Sequence, residues 1–317
     1  MLDNIKKKVS KMKIVKKILK FLLGFVVGLV GVVILFLVTL NLIKFALYND
    51  YYKMKENLCV NPGLNEGAVP QGIAVDVERD IVLTTAYMAD DSASRIYVTN
   101  SKNESRYVIL KKNGNDFKGH VGGISLSNDY AYISDGDKIY PVKLSDILNN
   151  DTIDIGDGIG VNNQASFTFA DDNYLYVGEF NYGPYVCEHP IGDYNAICTK
   201  YDLNDLTKPV AIYSIQDKVQ GFCVTDSGDI VLSCSWSLAD SYFYLFEAEN
   251  IKQSGEYEGV PLYVLENPSK TIKAPAMSED LSYSNGKVYT MYENACDKYI
   301  YGKFFFGSNK VVALDFE

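Results

Sequence analysis

The chain has 317 residues and a formal net charge of −10, which argues against nucleic acid as a partner, since phosphate binding needs a basic face. With 25 Tyr and 15 Phe against one Trp, the composition suits strands and sheet packing. The length exceeds one average domain yet still fits a single large all-β domain.

The net charge hides an asymmetry. Residues 1–20 hold Lys6, Lys7, Lys8, Lys11, Lys13, Lys16, Lys17 and Lys20 against Asp3 alone, and form a basic tail. Residues 21–43, FLLGFVVGLVGVVILFLVTLNLI, are 23 positions without a charge. At ~1.5 Å per residue they reach about 35 Å, enough to cross a hydrocarbon core of roughly 30 Å. A cleaved signal peptide would have a shorter apolar run, ~7–15 residues, ending at a small-x-small site. Here the run continues into Lys44-Phe45-Ala46-Leu47-Tyr48, which offers no such site. The sequence therefore predicts an uncleaved signal-anchor, a single-pass transmembrane helix in the cell membrane. The lysine cluster places its N-terminus in the cytoplasm and everything from about Tyr51 outside.

Residues 44–68 read as a polar stalk carrying one probable closing strand, and residues 69–317 as one domain with an internal repeat. First strands recur as QGIAVD (71–76), GGISLS (122–127), ASFTFAD (165–171), QGFCVTD (220–226) and EDLSYS (279–284). Second strands follow as DIVLTTAY (80–87), DYAYISD (129–135), NYLYVGEF (173–180), DIVLSCSWS (229–237) and KVYTMYENA (287–295). Third strands follow as RIYVTN (95–100), KIYPVKL (138–144), ICTKYDL (197–203), YFYLFEAE (242–249) and KVVALDF (310–316). Fourth strands read as SRYVIL (105–110), TIDI (152–155), VAIYSI (210–215) and PLYVL (261–265), with none left after the last unit.

Short alternating runs divided by turns are half-buried strands. Four per unit, at a period of roughly 40–60 residues, is the pattern of a β-propeller. We expect five four-stranded blades, the last completed by residues 52–60. A sixth blade would need strands hidden in 171–200 or 294–308.

VPQGIAV, HVGGISLS, ASFTFADDNYLYVGEF and MYENACDKY resemble the strand-opening motifs of bacterial propellers in the superfamily of NHL-repeat, YncE-like and gluconolactonase or paraoxonase-like proteins. The resemblance covers residues 69–316 and implies a fold. In that superfamily it would also imply a central Ca²⁺ held by Glu, Asn and Asp, but this sequence has no match to that ligand set.

The six cysteines all follow the apolar segment. Cys187 and Cys198 flank a Gly/Pro-rich loop and are expected to form a disulfide in an oxidising compartment. Cys223 and Cys234 sit on adjacent strands but out of register, so they read as buried thiols. No C-x-x-C, G-x-S-x-G, Walker loop or H-E-x-x-H occurs.

Propeller topology brings strand beginnings to one axis. The entry positions are Gln71, His120, Gln164 with Ser166, Gln220, and Glu279 with Asp280. Second-strand ends add Thr85, Asp135, Glu179, Ser235 and Glu293. The candidate ligand-binding set is Gln71, His120, Ser166, Glu179, Gln220, Ser235, Glu279, Asp280 and Glu293. Three readings stay open: a solvated channel, binding of an extracytoplasmic ligand, glycan or partner protein, or a hydrolase or lyase. The last would use channel carboxylates with His120, with or without Ca²⁺. Aromatic loops at Tyr182-Gly183-Pro184-Tyr185 and Phe304-Phe305-Phe306 favour recognition.

Overall fold

The computed structural model describes residues 1–305 and 307–316, the side chains of 2–10, 41 and 305 excepted. The chain forms two compact units, Met1–Asn49 and Asp50–Glu317. The first is a single helix, α1 (Leu2–Leu47), whose stretch Lys11–Leu47 is long and apolar enough to cross a membrane. A signal sequence would pass the same test. Its apolar side chains are exposed all round, Phe21 by 74% and Leu35 by 67%.

The second unit is all-β with five sheets arranged as propeller blades. A short helix α2 (Asn49–Met54), where the sequence shows no helical period, leads into β1 (Lys55–Val60). The first blade is β2 (Ala68–Asp76), β3 (Ile81–Met88), β4 (Arg95–Thr99) and β5 (Ser105–Lys112), with β6 (Asn115–Asp116) turned back on β5. β7 (Gly123–Ser127), β8 (Tyr130–Asp135) and β9 (Lys138–Lys143) open the second blade. Helix α3 (Leu144–Asn149) and β10 (Thr152–Asp154) intervene before β11 (Ile159–Gly160) completes it.

The third blade is β12 (Phe167–Ala170), β13 (Tyr174–Gly178), β14 (Ala196–Asp202) and β15 (Asp205–Ile215). The fourth is β16 (Val219–Val224), β17 (Ile230–Cys234) and β18 (Ser241–Phe246), interrupted by the hairpin β19 (Gln253–Tyr257) and β20 (Val260–Val264) and closed by β21 (Lys270–Ala274). The fifth holds β22 (Ser278–Ser284), β23 (Lys287–Tyr292) and β24 (Lys310–Leu314), with helix α4 (Ile300–Phe305) between the last two. Its outer strand is β1, paired antiparallel with β24 from Lys55↔Leu314 to Val60↔Lys310, so the ring is closed by its two ends.

Two fourth strands differ from the sequence reading. TIDI is β10, which pairs parallel with β5 of the preceding blade, Thr152↔Ile109. PLYVL contains β20, which pairs parallel with β15, Ile212↔Leu262. In both places the chain leaves its third strand, adds to the free outer edge of the neighbouring blade, and returns with a different segment, β11 or β21. Two sheets thereby become six-stranded, and their exposed backbone edges are covered.

The core lies between blades. Ile73 and Val75 pack with Cys59, Tyr289, Met291 and Val311, joining first blade to last. Leu83, Ile96 and Val108 pack with Ile124, Ile133 and Tyr140, joining first to second. At the axis the inner strands touch backbone to backbone. A Cβ on Gly72 would lie 2.5 Å from Gly123 C, and one on Gly123 would lie 2.5 Å from Thr168 N. No Cβ fits at these two glycines, so the inner strands close on one another at this level and seal the axis around one buried side chain.

Asp280, fully buried, occupies the seal. Its carboxylate accepts N–H bonds from Leu281 (2.9 Å), Ile73 (3.3 Å) and Ile124 (3.4 Å), three donors from three blades. Its expected place among ligand-facing residues is therefore corrected: it ties blades together.

Candidate functional site

Above the seal lies a cavity of about 890 Å³. Three inner strands enter it through β-bulges. On β2 the register slips between Pro70 and Ile73, on β16 between Val219 and Gly221, and on β22 between Ser278 and Leu281. A bulge sets two residues against one and re-aims a side chain. Here it turns Gln71, Gln220 and Glu279 into the cavity. Hydroxyls on the second strands brace these bulges. Thr85 Oγ1 accepts from Gly72 N (2.8 Å) and donates to Val121 O (2.7 Å) of the next blade, while Ser235 Oγ donates to Ser278 O (2.8 Å).

Of the residues singled out from the sequence, Gln71, His120, Ser166, Gln220, Ser235, Glu279 and Glu293 all line this cavity, with Asp135 and Gln164 beside them. Asp280 lies below it. Glu179 lies apart, buried in the third blade. Its Oε1 accepts from Gln164 N (3.1 Å) and its Oε2 from Ile197 N (3.0 Å), and its Oε1 lies 3.2 Å from His189 Nε2. His189 Nδ1 in turn meets Tyr257 OH at 3.3 Å. Burial raises the Glu179 pKa against the opposing pull of His189. This relay pins the 181–195 loop, and Glu179 does not join Glu279 and Glu293 in a carboxylate trio. Among the described residues no group of three or more His, Cys, Asp and Glu is placed to hold a metal ion.

The six cysteines are buried free thiols. The expected Cys187–Cys198 bridge is not formed: Cys187 Sγ donates to Phe180 O (3.5 Å), while Cys198 is held in the β13–β14–β15 ladder opposite Gly178 and Tyr213. Burial pushes the Cys187 thiol up to about 12 and raises Cys198 as well.

One wall of the cavity is aromatic and was only partly visible in the sequence. Trp236, the single tryptophan, follows Ser235 at the end of the second strand. Its ring stacks on Phe180 at 5.7 Å and meets Tyr182 at 5.4 Å and Tyr185 at 6.4 Å. Tyr185 comes from the aromatic loop flagged above. Tyr299, Ile300 and Tyr301 line the cavity too, Tyr301 being 70% exposed. Phe304 is exposed, and Phe306 lies outside the described residues.

The lining also holds an acidic group. Glu279 is 3% exposed and its Oε1 has no hydrogen-bond partner among the described residues. Burial, then the charge of Glu293, raises its pKa well above the ordinary carboxylate range. Glu293 is pushed up to about 7 by burial, against Gln71, Lys298 and Tyr299. Gln71 Nε2 donates to Glu293 Oε2 at 3.2 Å. His120 is exposed at the rim and stacks on Tyr87 at 4.9 Å. Its pKa is lowered by crowding, opposed by Asp135 and assisted by Lys298, so its charged neighbours are these and not the glutamate pair.

The raised glutamates make stability pH-dependent. Both hold their protons longer folded than unfolded, so their contribution is fully present below about pH 4.5 and is lost as pH rises through about 7 for Glu293. The melting temperature of the wild type is expected to fall by several degrees between pH 5 and pH 8. The double variant Glu279→Gln, Glu293→Gln should have a shallower slope, the remainder coming from the buried, likewise raised Asp280 and Glu179. Parallel pH profiles for the two proteins in a thermal scan would contradict the assignment.

No known family profile matches the chain, and no curated protein sequence does. Among solved structures, the fold is similar to a PQQ-bound aldose sugar dehydrogenase from Streptomyces coelicolor, at 14% identity over 75% of this chain and 76% of that chain, TM-score 0.41. It is also similar to a chain of a nidogen/laminin complex, at 13% identity over 71% and 73%, TM-score 0.39. A third likeness is to a thermostable family-43 glycoside hydrolase, at 12% identity over 74% and 86%, TM-score 0.41. Likeness at this distance carries no argument about activity. The propeller rests on this chain's own strand pairing, and the narrower resemblance to NHL, YncE-like and gluconolactonase-type proteins goes no further than the fold.

Proposed function

We propose that the protein is a membrane-anchored, extracytoplasmic propeller that binds a small ligand in the cavity above its sealed axis. The observation that carries this reading is a concave site of about 890 Å³ whose lining combines an aromatic wall with a buried carboxyl oxygen that lacks a partner among the described residues. Ligand cavities run roughly 300–1,000 Å³ and pair apolar walls with a few convergent polar groups. A buried acceptor left unpaired costs about 1–3 kcal/mol, which a ligand donor would recover. A concave site of this size suits a small molecule better than the flat face of a partner protein.

Trp236 makes the reading testable, because the only tryptophan in the sequence stands in the cavity wall. Purified full-length protein in detergent should change its tryptophan emission, and gain melting temperature, with at least one class in a panel of sugars, amines, amino acids and nucleosides. Gln220→Leu should weaken that response at least tenfold. No response to any class would sink the reading.

Anchoring and orientation rest on the uncharged 21–43 segment and the lysines before it. Protease added outside spheroplasts is expected to digest the propeller, and protection until the membrane is opened would reverse the orientation.

A second reading, a hydrolase, is favoured by the Glu279 and Glu293 pair: a carboxylic acid kept protonated beside one that titrates near 7 can divide acid and base roles. In that reading His120, set against Asp135, orients the ligand. Turnover abolished by Glu279→Gln, without loss of binding, would select it.

A further inference from the structure

We propose that the ligand of this cavity is an organic cation, its ammonium group seated on the Glu279 and Glu293 carboxyls and its hydrocarbon part against Trp236, Phe180 and Tyr185. The inference rests on the reading of the cavity as a ligand site and names the chemistry that fills it.

Charge is the first argument. Glu279 and Glu293 act on each other electrostatically inside one cavity, with Asp280 and Cys296 adding to the field at Glu279. The cavity wall adds Asp135 and Asp137, against His120 and Lys298. Lys298, the one lysine in that wall, acts on Glu293 without bonding to it: its Nζ donates to Tyr87 OH at 2.7 Å and lies 4.5 Å from the Tyr87 ring centre. The carboxyl pair is thus not neutralised by a bonded protein cation among the described residues, and Glu279 Oε1 is left open.

Geometry is the second. Aromatic faces attract cations within about 6 Å of the ring centre, and ammonium recognition characteristically combines such faces with carboxylates. The protein uses the same contact next to the site, where Lys218 Nζ stands 4.0 Å from the centre of the Tyr182 ring that packs on Trp236. A neutral sugar would also stack and accept amide bonds from Gln71 and Gln220, but it has no charge to set against two buried carboxyls.

The two classes differ in proton balance. Burial raises both carboxyls, Glu293 to about 7, so near neutrality an arriving cation draws off the Glu293 proton: the carboxylic O–H breaks, the proton leaves to buffer, and the carboxylate pairs with the ammonium. A neutral ligand displaces none. Cation affinity should therefore rise with pH through about 7.

The test uses full-length protein in detergent with choline and its neutral isostere 3,3-dimethyl-1-butanol, phenethylamine and 2-phenylethanol, and methyl glucoside. Trp236 emission reports binding, and calorimetry in two buffers of different ionisation enthalpy counts protons. Cations are expected to bind at least tenfold more tightly than their isosteres, to release protons at pH 7, and to gain affinity from pH 5 to pH 8. Glu279→Gln and, separately, Glu293→Gln should each erase that preference while retaining the folded melting transition and the weak binding of 2-phenylethanol. If the isosteres match the cations, or only methyl glucoside or another neutral compound of the wider panel moves Trp236, this inference falls and the ligand site stands. Silence from every compound in both sets overturns the ligand site itself.

Discussion

A chain beginning at Asn61 is expected to melt about 10–20 °C below one beginning at Asp50, or to fail to fold. The five residue pairs between β1 and β24 are the seam at which the ring meets its own beginning. Backbone hydrogen bonds contribute about 0.5–1.5 kcal/mol each. Removing β1 also strips Cys59, 2% exposed, from the cluster it shares with Ile73, Val311 and Ala313, and opens β24 as a bare edge. Tyr51 goes with it, a residue 1% exposed whose ring meets Tyr292 edge-on at 6.2 Å. The exposed Lys287–Glu56 pair adds little. Together the loss is several kcal/mol from a total of about 5–15, and each kcal/mol moves the midpoint of a domain this size by roughly 2–4 °C. Calorimetry of the two chains decides. Equal midpoints would mean that the inner strands alone hold the ring and that β1 is a passive addition.

The repeat was legible wherever the chain alternates and turns locally. All five first, second and third strands fall where the alternation of DIVLTTAY, KIYPVKL and their counterparts puts them, because hairpin pairing is written in short range. Of the fourth strands, SRYVIL and VAIYSI were legible in the same way and the other two were not. TIDI and PLYVL look like strands and are strands, but parallel pairing with another blade is decided by which outer edge lies open, and no local pattern encodes that. Their replacements are weak signals, two residues at Ile159–Gly160 and the mixed KTIKA of Lys270–Ala274.

The site divides in the same way. Gln71, His120, Ser166, Gln220 and Glu279 meet because five strands begin around one axis, a consequence of topology alone. The bulges that aim three of them left a trace in the recurring Gln-Gly of 71–72 and 220–221. Glu179 was misplaced because its position in the repeat equals that of Glu293, while its direction is set by His189, ten residues away on a loop of its own. Trp236 carries a signal of its own: a lone tryptophan two residues past a second-strand end stands at the mouth.

Adjacent acidic residues on β22 should give opposite results. Glu279→Gln removes a charge that burial already suppresses and is expected to leave the melting temperature at neutral pH unchanged or higher. Asp280→Ala is expected to cost roughly 4 kcal/mol, about 8–16 °C: it leaves the buried N–H groups of Ile73, Ile124 and Leu281 unpaired at about 1–3 kcal/mol each, and relief of the burial that raises the Asp280 pKa offsets part of that. Asp280→Asn should fall between, since its NH₂ must face one set of those donors. Gly221→Ala tests the same point from across the axis: its Cβ would lie 2.6 Å from Leu281 N and 2.7 Å from Asp280 Cα, and backbone of another blade has nowhere to go. That variant should not fold. If Asp280→Ala instead melted with Glu279→Gln, the carboxylate would belong to the ligand site after all, and the seal would be held by the glycines alone.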